Sequence, residues 1–67
     1  SINNIDINLI CENPKVSKIR DKIIKSLSNL LSVNRNLINL KGKTVEKLGI
    51  IGKEQAIACE VICSLSK

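Results

Sequence analysis

Ile5, Ile7, Leu9 and Cys11 alternate with Asp6, Asn8 and Glu12 near the start of the chain. A period of two is that of a strand with one wet face. Ile10 interrupts the polar side, so the end of this strand is expected to be covered on both faces. Cys11-Glu12-Asn13-Pro14-Lys15-Val16-Ser17 then breaks the alternation. Asn-Pro marks a turn, because the residue before a proline avoids helical angles. From Val16 onward, Ile19, Ile23, Ile24, Leu27, Leu30 and Leu31 recur at steps of three and four. Lys18, Asp21, Lys22, Lys25, Ser28 and Asn29 fill the other side. That pattern predicts an amphipathic helix. Ser17 is its expected N-cap, with Asn13 ahead of Pro14 as an earlier candidate.

Ser32-Val33-Asn34-Arg35-Asn36 ends the helical pattern. Ile38 and Leu40, alternating with Asn39 and Lys41, predict a short second strand. Strand, helix and strand with short links form a βαβ unit, whose crossover is right-handed when the strands are parallel. The last segment fits two periods. Ile57, Cys59, Val61, Cys63 and Leu65 alternate as a strand does, while Ile57, Val61 and Leu65 also match a helical stripe. Strict alternation and β-branched content favour the strand. Glu60 then lies on its opposite face, among Ala56, Ala58 and Ile62. The expected fold class is α/β (α+β): a β-α-β-β unit with a mixed sheet, one face covered by the amphipathic helix.

Length and composition limit what this unit does alone. The chain has 67 residues, with no aromatic residue, methionine or histidine. A domain of that size hides only about 60% of its unfolded surface, and a core without rings lacks the largest apolar side chains. It is therefore expected to lean on further sequence or on partner subunits. A start at Ser1 fits processing, trimming or a cleaved precursor. No apolar run approaches the roughly 18 residues of a membrane span, and no signal-peptide pattern is present, so no membrane partner is expected. Cys11, Cys59 and Cys63 show no Cys-x-x-Cys spacing and have no histidines to complete a zinc set. They read as reduced and structural, with Cys11 the exception because it lies beside a candidate ligand loop. The net charge of +5 suits an anionic partner. Without aromatics there is no stacking platform for single strands, so a nucleotide or diphosphate is preferred to nucleic acid.

The stretch Lys41-Gly42-Lys43-Thr44-Val45-Glu46-Lys47-Leu48-Gly49 gathers lysines, one hydroxyl and one carboxylate in a short polar turn. Ammonium groups, backbone amides and a threonine hydroxyl suit a phosphate, and Glu46 could hold a divalent cation that bridges phosphate oxygens. On pattern alone a solvated, lysine-rich turn accounts for it as well. Val45 and Leu48 are expected to turn inward and pin the loop. Gly49 and Gly52, bracketing Ile50-Ile51, suggest backbone freedom. In a parallel βαβ unit this turn leaves the end of the second strand beside the Cys11–Ser17 loop that leaves the first. Two such loops on one sheet edge, with the Cys11–Ser17 loop opening a helix, form a favoured ligand site in α/β proteins.

Lys43-Thr44-Val45-Glu46-Lys47-Leu48-Gly49-Ile50-Ile51-Gly52-Lys53, continued by Ala56-Ile57-Ala58-Cys59-Glu60, resembles the C-terminal signature of the 2-C-methyl-D-erythritol 2,4-cyclodiphosphate synthases. That signature reads roughly Lys-Ala-Thr-Thr-Thr-Glu-x-Leu-Gly-Phe-x-Gly-Arg-x-Glu-Gly-Ile-Ala. Asn4-Ile5-Asp6 through Pro14-Lys15 is similar to the family's strand and Ala-Pro-Lys loop, in the same register. The resemblance implies that residues 1–67 are the C-terminal part of one synthase domain, of a lyase of non-mevalonate isoprenoid biosynthesis. Such an enzyme cyclises 4-diphosphocytidyl-2-C-methyl-D-erythritol 2-phosphate and releases CMP. It also implies a homotrimer with active sites between subunits, in a bacterial cytoplasm or in a plastid or apicoplast stroma.

By the same resemblance, Thr44 and Glu46 are the catalytic candidates. Thr44 would steady the transferring phosphoryl group, and Glu46 would hold magnesium or manganese at the diphosphate. Cys11, Glu12, Asn13, Pro14, Lys15, Val16 and Ser17 match the cytidine pocket of a cytidine diphosphate-type substrate. Lys43, Val45, Ile50 and Lys53 complete the substrate-binding candidates, and Lys53 and Glu60 match cavity-facing residues. The chain departs from the signature where Lys43 and Val45 stand for threonines, Ile50 for phenylalanine, Lys53 for arginine, and Gln55-Ala56 for Glu-Gly. The family's zinc ion, held by one aspartate and two histidines, has no ligands in this chain. A non-catalytic basic βαβ module that binds nucleotide or nucleic acid is the alternative reading.

Overall fold

The computed structural model describes residues 1–67. Three strands, β1 (Ile2–Ile10), β2 (Ile38–Lys43) and β3 (Ala58–Leu65), form one sheet in the order β2-β1-β3. Between the first two strands runs α1 (Val16–Leu31), followed by a single 3-10 turn at Arg35–Leu37. A one-turn helix, α2 (Gly49–Gly52), precedes β3. β1 pairs with β2 in parallel and with β3 antiparallel. The architecture is the expected α+β unit with a mixed sheet.

The alternation in β1 translates directly into two faces. Ile5 and Ile7 are buried with Ile38 and Leu40 of β2, and with Cys11 and Val16 at the start of the connection. Ile23, Ile24 and Leu27 of α1 pack against this cluster. The polar positions share the other face: Asn39 Nδ2 donates to Asp6 Oδ1 at 2.9 Å, Lys41 Nζ lies 3.5 Å from Asp6 Oδ2, and Asn8 Nδ2 donates to Glu60 Oε1 at 3.2 Å. Exposed pairs of this kind stabilise little, about 0–1 kcal/mol each; the register is set by the apolar face they leave buried.

The helix covers β1 and β2 and leaves β3 open. Cys59, Val61 and Cys63 pair with Leu9, Ile7 and Ile5, so they share the apolar face. Val61 is nevertheless 57% exposed and Leu65 69%. The α1 stripe also outruns its cover, since Leu30 is 78% exposed. The radius of gyration is 13.2 Å, against about 11 Å for a compact chain of this length. No helix is long and apolar enough to cross a membrane.

Three local expectations differ from the structure. The N-cap of α1 is Lys15, with no side-chain cap, and Ser17 lies inside the first turn. Helical geometry starts where Val16 is drawn into the core, which outweighs the capping preference of a residue one step later. Leu48 is 71% exposed rather than turned inward, and only Val45 is half-buried. Gly49 has φ +66°, as backbone freedom requires, but Gly52 serves close approach: a Cβ there would sit 2.1 Å from the Lys47 carbonyl carbon.

Candidate functional site

The parallel β1/β2 pairing brings the chain after both strands to one edge of the sheet. Cys11 N–H donates to Lys43 O at 3.0 Å, extending the ladder past Ile10. The Cys11 thiol turns back to donate to Pro14 O at 3.4 Å, closing the nucleotide-loop candidate on itself. On β2, Gly42 passes beneath the first turn of α1, where a Cβ would come within 2.5 Å of Val16 Cβ. Both residues line the cleft between the two segments.

That cleft is an open cavity of about 210 Å³ whose walls include Lys15, Val16, Ser17, Lys43 and Thr44. Cys11 and Gly42 complete the wall between the strand ends, and Arg20 reaches in from the second turn of α1. Lys15 and Thr44 therefore stand on one hollow. Three cations and no carboxylate line it, so the field inside favours an anion. Arg20 Nε donates to Leu40 O at 3.1 Å, leaving the rest of the guanidinium fork available.

A second, shallower hollow of about 380 Å³ adjoins the first through Lys15. Lys47 and Lys53 add charge to it, and Glu12, Asn13 and Glu54 lie on its rim. Of the remaining candidates, Pro14 and Ile50 are exposed and line neither hollow, and Ile50 sits in α2. Val45 is engaged through its backbone. Glu46 is exposed at the tip of the bend and lines neither hollow.

The bend itself is unusual. Leu48 N–H donates to Val45 O at 3.0 Å, closing a four-residue turn. Its two central residues, Glu46 (φ 57°) and Lys47 (φ 63°), are both left-handed. That is the φ pattern of a type I′ turn, which favours glycine or asparagine. For other L-residues the conformation costs roughly 1–2 kcal/mol each. Opposing that cost, Glu12 Oε1 accepts from Val45 N–H and from Lys47 N–H, both at 2.9 Å. The Glu12 carboxyl is held below its ordinary value. The Lys47 amide lowers it most and partial desolvation opposes; the Val45 amide and the ammonium groups of Lys15 and Lys47 add to the lowering.

Glu46 is a single exposed carboxylate in the bend after β2; magnesium held there would take most of its ligands from substrate phosphates and water. Zinc is different. No three potential ligand side chains converge among these residues, and the sequence has no histidine, so a resident zinc ion does not fit this chain's own groups.

Residues 1–66 match the YgbB family model. The chain belongs to the YgbB family. Among its relatives, a bifunctional IspD/IspF enzyme of Pelagibacter ubique is 52% identical over 98% of this chain and 18% of its own length. An apicoplast 2-C-methyl-D-erythritol 2,4-cyclodiphosphate synthase of Plasmodium falciparum is 52% identical over 87% of this chain and 24% of its own. Among solved structures, the IspF of Plasmodium falciparum in complex with CDP superposes with a TM-score of 0.87 at 49% identity, covering 91% of this chain and 39% of that one. This YgbB-family chain thus spans well under half the length of these relatives.

Arg20 is not among the expected site residues, and Gly42 stands in the candidate phosphate turn without a role of its own. Arg20 reads as one more basic residue on the helix, and only its hydrogen bond across to β2 turns it toward the cleft. Gly42 had a signal, a glycine inside a short strand, which marks close backbone approach.

Proposed function

We propose that this YgbB-family segment supplies the nucleotide- and diphosphate-binding part of a synthase that cyclises 4-diphosphocytidyl-2-C-methyl-D-erythritol 2-phosphate to 2-C-methyl-D-erythritol 2,4-cyclodiphosphate. One observation carries the reading: Lys15 after β1 and Thr44 after β2 wall the same cationic hollow. The likeness to a protein solved with CDP supports it.

In the reaction an oxygen of the 2-phosphate attacks the β-phosphorus. The bond from that phosphorus to the oxygen bridging to the α-phosphate breaks, and the electron pair leaves with CMP. The difficulty is to bring two anions together, so positioning and charge neutralisation supply most of the rate. Lys15, Lys43 and Arg20 lower the repulsion. The Thr44 hydroxyl donates to a non-bridging oxygen of the transferring group. The Cys11–Ser17 loop takes the cytidine, reading it through backbone groups. Glu46 would hold a divalent ion, magnesium or manganese, which when bound neutralises charge on the α- and β-phosphates. Lys53, on the adjoining hollow, and Ile50 belong to the outer part of the substrate site.

The uncovered side of β3 and the small core support a place between subunits, as in the homotrimer expected from the resemblance. Bacterial and apicoplast relatives support a bacterial cytoplasm or plastid stroma. A non-catalytic basic module that binds nucleotide or nucleic acid rests on the net charge and the basic face of α1 alone. In the complete enzyme, Glu46→Ala is expected to abolish magnesium-dependent CMP release while folding is kept. Unchanged turnover would remove Glu46 from the mechanism.

A further inference from the structure

We propose that Glu12 is a positioning residue: its Oε1, bonded to the amides on either side of Glu46, holds the Val45–Leu48 bend in the shape that presents Thr44 and Glu46 to a diphosphate. This rests on the reading of Thr44 and Glu46 given above, and adds to it the group that fixes where they stand.

Glu12 lies on the rim of the second hollow, among Lys15, Lys47 and Lys53, and its carboxylate is turned to the backbone of the bend. One oxygen of Glu12 accepts both the Val45 and the Lys47 N–H. Those two amides bracket Glu46, so the contact fixes the backbone immediately before and after the proposed metal ligand. They also belong to the two left-handed residues' turn, which no glycine relieves. From the far side, Gly52 N–H donates to Leu48 O, and the Gly52 Cα abuts Lys47. The bend is thereby gripped between the Glu12 carboxylate and α2. Because Glu12 lies in the loop assigned to cytidine, it links the position of the base to the position of the phosphates. A ligand that orders one loop orders the other.

Substitution separates this role from a simple charge effect. A glutamine keeps a side-chain oxygen that accepts both amides, whereas alanine keeps nothing. If Glu12 were only a repelling charge, Glu12→Gln and Glu12→Ala would both tighten CDP. As a positioning residue it behaves otherwise. In the complete enzyme, Glu12→Ala is expected to weaken magnesium·CDP binding about 10–100-fold, while Glu12→Gln stays within about threefold of the parent. Cytidine, which does not reach the bend, is expected to lose less affinity than magnesium·CDP does in Glu12→Ala. Hydrogen exchange at the Val45 and Lys47 amides is expected to quicken in Glu12→Ala and not in Glu12→Gln.

Magnesium·CDP bound by Glu12→Ala as tightly as by the parent, or equal losses for cytidine and magnesium·CDP, would overturn the proposal. So would unchanged exchange at both amides. Failure of the underlying reading shows separately: a Glu46→Ala protein that keeps the full magnesium dependence of CDP binding removes Glu46 as the ligand, and the exchange rates still decide whether Glu12 shapes the bend.

Discussion

Gly52 lies against the backbone of Lys47 so closely that a Cβ on it would fall 2.6 Å from Lys47 Cα and nearer still to the carbonyl carbon. The neighbour is backbone, so nothing flexible can give way. Gly52→Ala is therefore expected to push the Val45–Leu48 bend off α2, costing about 1–3 kcal/mol and lowering magnesium·CDP affinity. Urea denaturation and a binding titration check it. Parent-like values in both would show that the bend is not held from this side.

Protonation of Glu12 has a defined direction. Its folded-state pKa lies below the ordinary value of 4.5. The contribution is therefore complete above the ordinary glutamate range and is lost as the pH falls through the folded value. The Val45 and Lys47 amide resonances are expected to titrate together with a midpoint below 4.5, and Glu12→Gln is expected to abolish that titration. A midpoint above the ordinary value would contradict the charge-assisted bonds.

Ser32 ends α1 in the left-handed conformation at φ 54°, and its side chain is exposed. Glycine adopts that conformation without penalty. Ser32→Gly is expected to stabilise the chain by about 0.5–1 kcal/mol after the entropy that glycine adds to the unfolded state. The urea midpoint should rise with an unchanged slope.

The sheet divides into a costly side and a tolerant one. Leu40 is 4% exposed and Leu65 is 69% exposed. Leu40→Ala is expected to cost about 2–5 kcal/mol, enough to unfold so small a core, while Leu65→Ala in this chain alone changes stability by less than about 0.5 kcal/mol. Thermal melts of the two variants separate these outcomes.

The elements were legible where burial imposes a period. Ile5, Ile7 and Leu9 alternate because one face of β1 meets α1, and the Ile19–Leu27 stripe mirrors that face. The strand reading of Ile57–Leu65 held because alternation follows the pleat even though this chain leaves that face uncovered. The shared edge of the Lys15 and Thr44 loops followed from parallel pairing. Other features had no local signal. A polar turn is expected at Lys41–Gly49, but Glu46 and Lys47 are poor left-handed residues by type, so nothing near them in sequence announces its geometry. What holds them is Glu12, 33 and 35 residues away from the two amides it accepts. α2 is one turn of Gly49-Ile50-Ile51-Gly52, too short for a helical period to show. Gly52 reads as a flexible position and serves as a contact surface.

If the loop after β1 and the bend after β2 grip one nucleoside diphosphate, both must respond to it together. The most direct measurement is an amide-resonance titration of the isotope-labelled protein with CDP and magnesium. Lys15, Val16, Thr44, Val45 and Glu46 are expected to shift with a single dissociation constant, which magnesium lowers. Shifts confined to one of the two loops, or two unrelated dissociation constants, would contradict a common site.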